Sequence, residues 1–441
     1  MRVRLFIFLF LFSSCSVSKQ ISKQANTFLL QDSAISMGHI GISIYEPATG
    51  KYWYNYQAEK YFVPASNTKL FSLYAGMKYL GDSLTGLKVT EYNDYILAQT
   101  TGDPTLLHED FKYQPVYDFL KTQNKKTIWI FTPLWQENAL GFGWSWDDYN
   151  SSDMVERSPI PVFGNLVHFS GTNNSPKFYP SKAVNNKFPK GVQYTIDPYI
   201  NSVRREFKEN IFTYNANGKE PREIKVPFIT SVLLNIEILI DSLHTDNTIV
   251  PPGVPPPAIL YGDIPKKKII HSQPVDSLFT IMMHRSDNFF AEQTLLMASN
   301  EKLGYMSDRK MIDTLFKTDL KDIPQKPKWV DGSGLSRYNL FTPKDFIYIL
   351  QKLKNDFGFE RLKVILPTGG TGTLSSLYKK DSGYIFAKTG TLSNHVALSG
   401  FLITKQNKLL VFSVLAGNFT TGATPIRKAI EKFLSNIRQR Y

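Results

Sequence analysis

Alternation and helical spacing divide the chain into two kinds of territory. In GHIGISIYEPATGKYWYNYQ, Ile40, Ile42 and Ile44 alternate with small or polar residues. Pro47 to Gly50 supply turn chemistry, and Tyr52, Tyr54 and Tyr56 alternate again, so the pattern predicts two strands about a turn. An apolar, helix-like run opens at Ser66 within YFVPASNTKLFSLYAG. Toward the other end, HVALSGFLITKQNKLLVFSVLAGNF predicts a hairpin turning at Lys405 to Lys408. TPIRKAIEKFLSNIRQ predicts a closing helix with Ile426, Ile430, Phe433 and Ile437 on one face. Antiparallel hairpins from both chain ends, each adjoining a helix, predict one α+β domain assembled from distant segments.

From about Lys88 to Asp263 the pattern changes to short strand-like runs and turns. It ends in the proline-dense IVPPGVPPPAILYGDIP, which reads as an extended connector. The expectation is a β-rich domain over 88–263, inserted into an α+β domain formed by 28–87 and 264–441.

Length agrees with this division, since 441 residues exceed one ordinary core. A hydrophobic content of 42% with 20% charged residues is that of a globular chain. The formal charge of +13 implies an anionic partner: nucleic acid, a membrane surface or a wall polymer. The longest basic run is only Lys266-Lys267-Lys268, which reads as a solvated loop, and no nucleic-acid-binding module is recognisable. The N-terminus, MRVRLFIFLFLFSSC, sets two arginines before an apolar stretch from Leu5 to Phe12, then small residues and Cys15. That stretch is too short to span a bilayer, which takes about 20 residues. The segment resembles a bacterial lipoprotein signal, with Phe12 in place of the usual leucine. The resemblance implies removal of residues 1–14, lipidation of Cys15, a tether over 15–27, and a periplasmic protein anchored to the inner or the outer membrane. Cys15 is the sole cysteine, so the body has no internal disulfide.

Acyl transfer needs a nucleophile, a base beside it, an oxyanion site and a proton route to the leaving group. The seven histidines offer no Gly-x-Ser-x-Gly context and no His-Glu-x-x-His spacing, so no Ser-His-Asp hydrolase, metal site or cofactor is expected. Ser66 and Lys69 offer another route. Positions three apart share a helix face, so the Lys69 amine can reach the Ser66 hydroxyl. A free lysine titrates near pH ~10.4 and is no base at neutral pH. Burial, a nearby cation and the partial positive charge of a helix N-terminus all disfavour its ammonium. A second lysine close by is the expected companion. Two later motifs supply the missing parts: Ser286-Asp287-Asn288 between helix-like runs at 278–283 and 289–297, and Lys388-Thr389-Gly390-Thr391 at the entry to the second hairpin.

Each motif alone has an ordinary structural explanation. In this order they resemble the active-site serine penicilloyl transferases, that is, penicillin-binding proteins and serine β-lactamases. TGDPTL (101–106), GFGWSWDD (141–148), DGSGLSRYNLFTP (331–343) and LPTGGTGTL (366–374) resemble one branch. That branch is the serine-type D-alanyl-D-alanine carboxypeptidase/endopeptidase family of low-molecular-mass class C penicillin-binding proteins. The resemblance implies a β-lactamase/transpeptidase-like domain, an antiparallel sheet with helices on both faces, carrying a large insertion. Lys69 and Ser286 stand 217 positions apart, which leaves room for that insertion.

It also implies the roles. Ser66 attacks the carbonyl between two terminal D-alanines of a peptidoglycan stem peptide, and Lys69 takes its proton. Ser286 relays a proton toward the leaving nitrogen, and Asn288 holds the substrate amide. Lys388 keeps the site positive and, with Thr389, binds the substrate carboxylate; Gly390 permits close approach of the strand. The oxyanion hole is the backbone N–H groups of Ser66 and Thr391. Asp148 and Arg337 recognise the free amino acid end of the stem peptide's diamino acid. β-Lactams are the implied covalent inhibitors, and a homodimer is left open. No Glu-x-x-Leu-Asn loop stands between Asn288 and Lys388, which favours slow turnover of penicillin. Two competing readings stay open: a β-lactamase or esterase of the same fold, and a retired wall-binding lipoprotein.

Overall fold

The computed structural model describes residues 17–441 apart from 124–125, 173–174, 185–191, 196–202, 216–222, 245–247 and 257–264. Cys15 and the segment 1–14 lie outside the described residues, as does 257–264 of the proline-dense connector.

Along the chain, β1 (His39–Glu46) and β2 (Lys51–Tyr56) precede a 3-10 turn, Ala65–Thr68, which runs into α1 (Lys69–Tyr79). The helix expected from Ser66 thus begins as a tighter turn, and its α-helical part opens at Lys69. Next come β3 (Ser83–Glu91), β4 (Tyr95–Thr100), β5 (Thr127–Phe131), β6 (Leu166–Thr172), β7 (Ser175–Tyr179), β8 (Ile224–Pro227), α2 (Val232–Leu243), β9 (Ile249–Val250) and β10 (Lys266–Pro274). They are followed by α3 (Val275–His284), α4 (Asn288–Leu303), α5 (Pro343–Phe357), β11 (Ile385–Leu392), β12 (His395–Ile403), β13 (Leu409–Gly417) and α6 (Ala423–Arg440).

These elements fall into two units. One runs through Tyr74 and takes up Phe279–Asp287 and Ile312–Tyr441; the other is Ala75–Leu278 with Asn288–Met311. The first unit is built on a five-stranded sheet in the order β11-β12-β13-β1-β2, antiparallel throughout. Both expected hairpins are present, and β13, from the chain's end, pairs with β1, from its beginning. Apart from Leu409, β13 is buried at every position, because helices cover both faces of the sheet. On one face Ile40, Ile42, Ile44, Phe412 and Val414 pack with Ile426, Ile430, Phe433 and Ile437 of α6. On the other, a Cβ at Gly41 would meet Pro343 of α5 at 2.8 Å. Burying each such side chain contributes about 1.5–3 kcal/mol, so the four-residue stripe read from the sequence holds α6 in place. Asp345 closes the N-terminus of α5 with Thr342 in a reciprocal capping box.

The second unit contains a mixed sheet in the order β9-β5-β4-β3-β10 and a smaller antiparallel sheet β8-β6-β7. Its core joins Val167, Phe169, Phe212 and Phe228 to Ile236 and Leu239 of α2. The lysine run read as a loop is instead the start of β10, paired with β3 in the register Lys266↔Glu91. It tolerates strand pairing because the side chains stay at the surface and Lys268 and Lys126 both meet Glu91, whose carboxyl they hold down at about 2. Among the described residues, no helix is long and apolar enough to cross a membrane.

Candidate active site

Within the first unit, the 3-10 turn presents Ser66 one helical turn before the start of α1. Lys69 Nζ donates to Ser66 Oγ at 2.9 Å and to the Ser333 carbonyl at 2.8 Å. The lysine side chain has no exposed surface. The turn is strained at its first residue, Ala65, whose φ is +47°. Such a conformation costs about 1–3 kcal/mol and persists only where surroundings impose it. Here they do. Thr68 Oγ1 donates to the Ala65 carbonyl at 2.9 Å, and Phe62 pairs in both directions with the backbone of Phe341, at 2.8 and 3.0 Å.

The DGSG segment explains the second contact of Lys69. The Asp331 carboxylate, fully buried, accepts from the N–H groups of Gly334 at 2.8 Å and Ser336 at 2.7 Å. It also accepts from Asn339 Nδ2 at 2.7 Å. That ring of bonds folds the loop tightly and turns the Ser333 carbonyl toward Lys69, while Ser72 Oγ donates to the Gly332 carbonyl at 2.5 Å. Gly334 has φ +84°, and a Cβ there would lie 1.9 Å from the Ala65 carbonyl oxygen. Only glycine permits this approach.

On β11, Lys388 Nζ donates to Ser286 Oγ at 2.8 Å and to the Thr389 carbonyl at 2.8 Å. Ser286 sits at φ +64°, in the tight corner between α3 and Asn288. Lys388 is also fully buried; burial first, and the charge of Lys69 second, hold its amine well below the ordinary lysine range. The sequence led to the expectation that Lys388 would depress Lys69. In the folded site the charge of Lys69 bears on the Lys388 amine, and both amines are fully buried. β11 is tied to the nucleophile turn by Asn67 Nδ2, which donates to the Lys388 carbonyl at 2.9 Å. A Cβ at Gly390 would meet the Pro64 carbonyl at 2.6 Å and Asn67 Nδ2 at 3.1 Å.

Ser66, Lys69, Ser286 and Lys388 are therefore brought together as two hydroxyl–amine couples. Thr389 and Gly390 lie on the same strand, and the Thr391 hydroxyl accepts from Arg427 of α6. Arg337 is exposed and donates to the Ser393 carbonyl at 3.1 Å, in the turn between β11 and β12. Asn288 opens α4 and belongs by its contacts to the second unit, where its amide donates to the Asp153 carbonyl at 2.8 Å. Asp148 is in the second unit too, exposed, and ends a 3-10 turn begun by the exposed Trp146. Sequence reasoning missed Asp331, Ser333 and Arg427. Ser333 acts through a backbone carbonyl, which leaves no side-chain signature. Arg427 lies outside the apolar stripe of α6 that the spacing singles out.

Chemically, a hydroxyl beside a buried amine is suited to nucleophilic attack with the amine as base, and a second hydroxyl–amine couple is suited to passing a proton. Comparison with known proteins agrees. The family model for the D-Ala-D-Ala carboxypeptidase 3 (S13) family matches residues 22–233 and 256–437. The chain is 22% identical to the penicillin-sensitive carboxypeptidase A of Dictyostelium discoideum, over 89% of this chain and 85% of that one. It is 23% identical to the D-alanyl-D-alanine carboxypeptidase DacB of Haemophilus influenzae, over 83% of each. Among solved structures, penicillin binding protein 4 of Haemophilus influenzae superposes with a TM-score of 0.72 at 19% identity, covering 94% of this chain and 98% of that one.

Proposed function

The chain belongs to the D-Ala-D-Ala carboxypeptidase 3 (S13) family, and from that membership and the site geometry we propose the following serine peptidase mechanism on peptidoglycan stem peptides. Ser66 Oγ attacks the carbonyl carbon of the penultimate D-alanine as its proton passes to Lys69 Nζ. The tetrahedral oxyanion takes hydrogen bonds from the N–H groups of Ser66 and Thr391. The C–N bond then breaks, and the leaving amine receives a proton through Ser286 Oγ, supplied from the Lys69–Lys388 pair. Water attacks the Ser66 ester by the same proton route, releasing the shortened peptide and restoring the hydroxyl. The leaving amine is free D-Ala in the carboxypeptidase reaction and a neighbouring stem's side-chain amine in the endopeptidase reaction.

The observation that carries this reading is the 2.9 Å contact of Lys69 Nζ with Ser66 Oγ inside a buried site. Lys388, Thr389 and Arg427 supply a cationic, hydroxyl-bearing strand end suited to the substrate's terminal carboxylate, and Gly390 leaves room beside it. By the family resemblance Asn288 is assigned to the substrate amide, and Asp148 and Arg337 are each assigned to recognition of a diamino acid. We assign 88–263 as the inserted domain. Cys15 is the lipid attachment point of a periplasmic protein.

Penicillin presents a lactam carbonyl to the same serine, so the test is intact-mass spectrometry after incubation with benzylpenicillin. The expected result is one long-lived adduct per chain, absent in Ser66→Ala. An adduct that clears within seconds would instead indicate a β-lactamase, and no adduct at all would overturn the acyl-serine mechanism.

A further inference from the structure

Away from the hydroxyl–amine couples, one group of side chains in the second unit gathers metal-ligating atoms around a buried histidine. Glu109, His168 and Glu223 place two carboxylate oxygens and an imidazole nitrogen within 4.8 Å of one another. His168 Nδ1 lies 3.4 Å from Glu109 Oε2. The histidine is only 4% exposed, and its Nδ1 has no hydrogen-bond partner. A buried polar atom without a partner is uncommon in native folds, and a bound ion is one of the few explanations for it.

We propose that Glu109, His168 and Glu223 form a site for a divalent transition-metal ion, Zn²⁺ by the chemistry of its donors, with the fourth position open to water. A tetrahedral zinc ion with bonds of about 2.0 Å sets its ligand atoms about 3.3 Å apart. The His168–Glu109 pair already has that spacing. An imidazole with two carboxylates suits zinc better than the all-oxygen shells of calcium or magnesium.

The surroundings hold two of the ligands in place. Tyr179 of β7 stacks on the His168 ring, with centroids 4.6 Å apart and planes 14° from parallel. Lys225 lies directly across from His168 in the β8–β6 register, and its ammonium bonds Glu109 Oε1, so Oε2 is the oxygen left toward the imidazole. Glu109 and Glu223 are exposed, which gives an ion a way in. Bound there, the ion ties β6 to the entry of β8 and to the loop after β4, three segments far apart in sequence. Its role is structural, and the proposal does not rest on the peptidase reading.

The test uses the full chain, stripped with a chelator and titrated with zinc chloride by calorimetry, with cobalt(II) substitution to read the coordination by visible absorption. One equivalent should bind, raise the melting temperature, and give the intense d–d bands of a tetrahedral cobalt centre. His168→Ala and Glu223→Gln should each weaken zinc by about 100-fold or more and abolish the thermal shift, with penicillin labelling of Ser66 retained as a check on folding. Should His168→Ala fail to fold, Glu223→Gln decides alone, because Glu223 is at the surface. Zinc binding unchanged in the variants, or no stoichiometric binding by the natural chain, would overturn the site.

Discussion

Lys388 Nζ donates to Ser286 Oγ at 2.8 Å from a side chain with no exposed surface. The amine is thus placed to pass a proton through a hydroxyl, and its solvation is replaced by two oxygens of the protein. Burial disfavours the charged form of this amine, so an apolar side chain of similar volume does not forfeit a favourable buried charge. Lys388→Met should therefore leave the melting temperature within a few degrees of the natural chain while slowing acylation by penicillin about 10²–10⁴-fold. Stopped-flow or gel-based labelling rates beside a thermal melt check both halves; a folded variant that acylates at the natural rate would remove Lys388 from the proton route.

The same lysine fixes a pH dependence. Its amine is held well below the ordinary lysine range, by burial first and by Lys69 second. The unfolded chain then binds that proton more tightly than the folded one. Stability rises with pH from the lowered value up to about 10.4. Lys388→Met should flatten that rise, as read by urea unfolding between neutral and alkaline pH. In the natural chain the acylation rate should climb along an acidic limb with its midpoint below the free-lysine value.

Asp345 carries a dependence of opposite sign. Burial pushes its carboxyl up to about 7, against the hydrogen bonds it accepts from Thr342 and Gln325. A raised carboxyl stabilises the fold fully below its unfolded value, near 3.9, and that contribution is lost as pH rises through about 7. Asp345→Asn keeps an acceptor oxygen for the capping box and removes the titration. Its stability relative to the natural chain should improve by a few kcal/mol between pH ~4 and ~7, measured by unfolding at fixed ionic strength. A constant difference across that range would show that the carboxyl titrates normally.

Two left-handed glycines separate conformational strain from crowding. Gly81 has φ +71° with nothing within 4 Å of a built Cβ, whereas the Cβ at Gly334 would lie 1.9 Å from the Ala65 carbonyl. Gly81→Ala should cost about 1 kcal/mol. Gly334→Ala adds overpacking against the nucleophile turn and should cost about 3 kcal/mol or more, with loss of acylation because Ser66 and Lys69 are displaced together. Thermal melts and penicillin labelling of the two variants check the contrast.

What was legible in the sequence was whatever acts through side chains at a periodic or motif spacing. Ile40, Ile42 and Ile44 announced β1 by alternation, and Ile426, Ile430, Phe433 and Ile437 announced the buried face of α6. Ser66 and Lys69 were visible because three residues make nearly one helical turn, and a tighter 3-10 turn brings the same pair together. The Ser333 carbonyl was hidden, since every residue has one and only the bonds to Asp331 reveal which is aimed. The start of β10 was misread because three lysines look solvated, and an exposed sheet face solvates them equally well. Glu109, His168 and Glu223 share no local spacing: the pairing of β6 with β8 brings His168 near Glu223, and the loop after β4 adds Glu109.

β11 is the outermost strand of its sheet, with β12 on one side. On its other side the bridge from Phe386 to Thr368 covers only its start. The stretch that follows, Lys388 to Thr391, has no further strand beside it among the described residues, although the Lys388 and Thr389 carbonyls already accept from Asn67 Nδ2 and Lys388 Nζ. An extended peptide can align there as a further strand, held by amides that every peptide possesses. Grip of that kind is blind to most side chains and attentive to backbone shape and handedness. It would let one serine accept stem peptides of varied composition, and a rigid bicyclic lactam that mimics only their backbone.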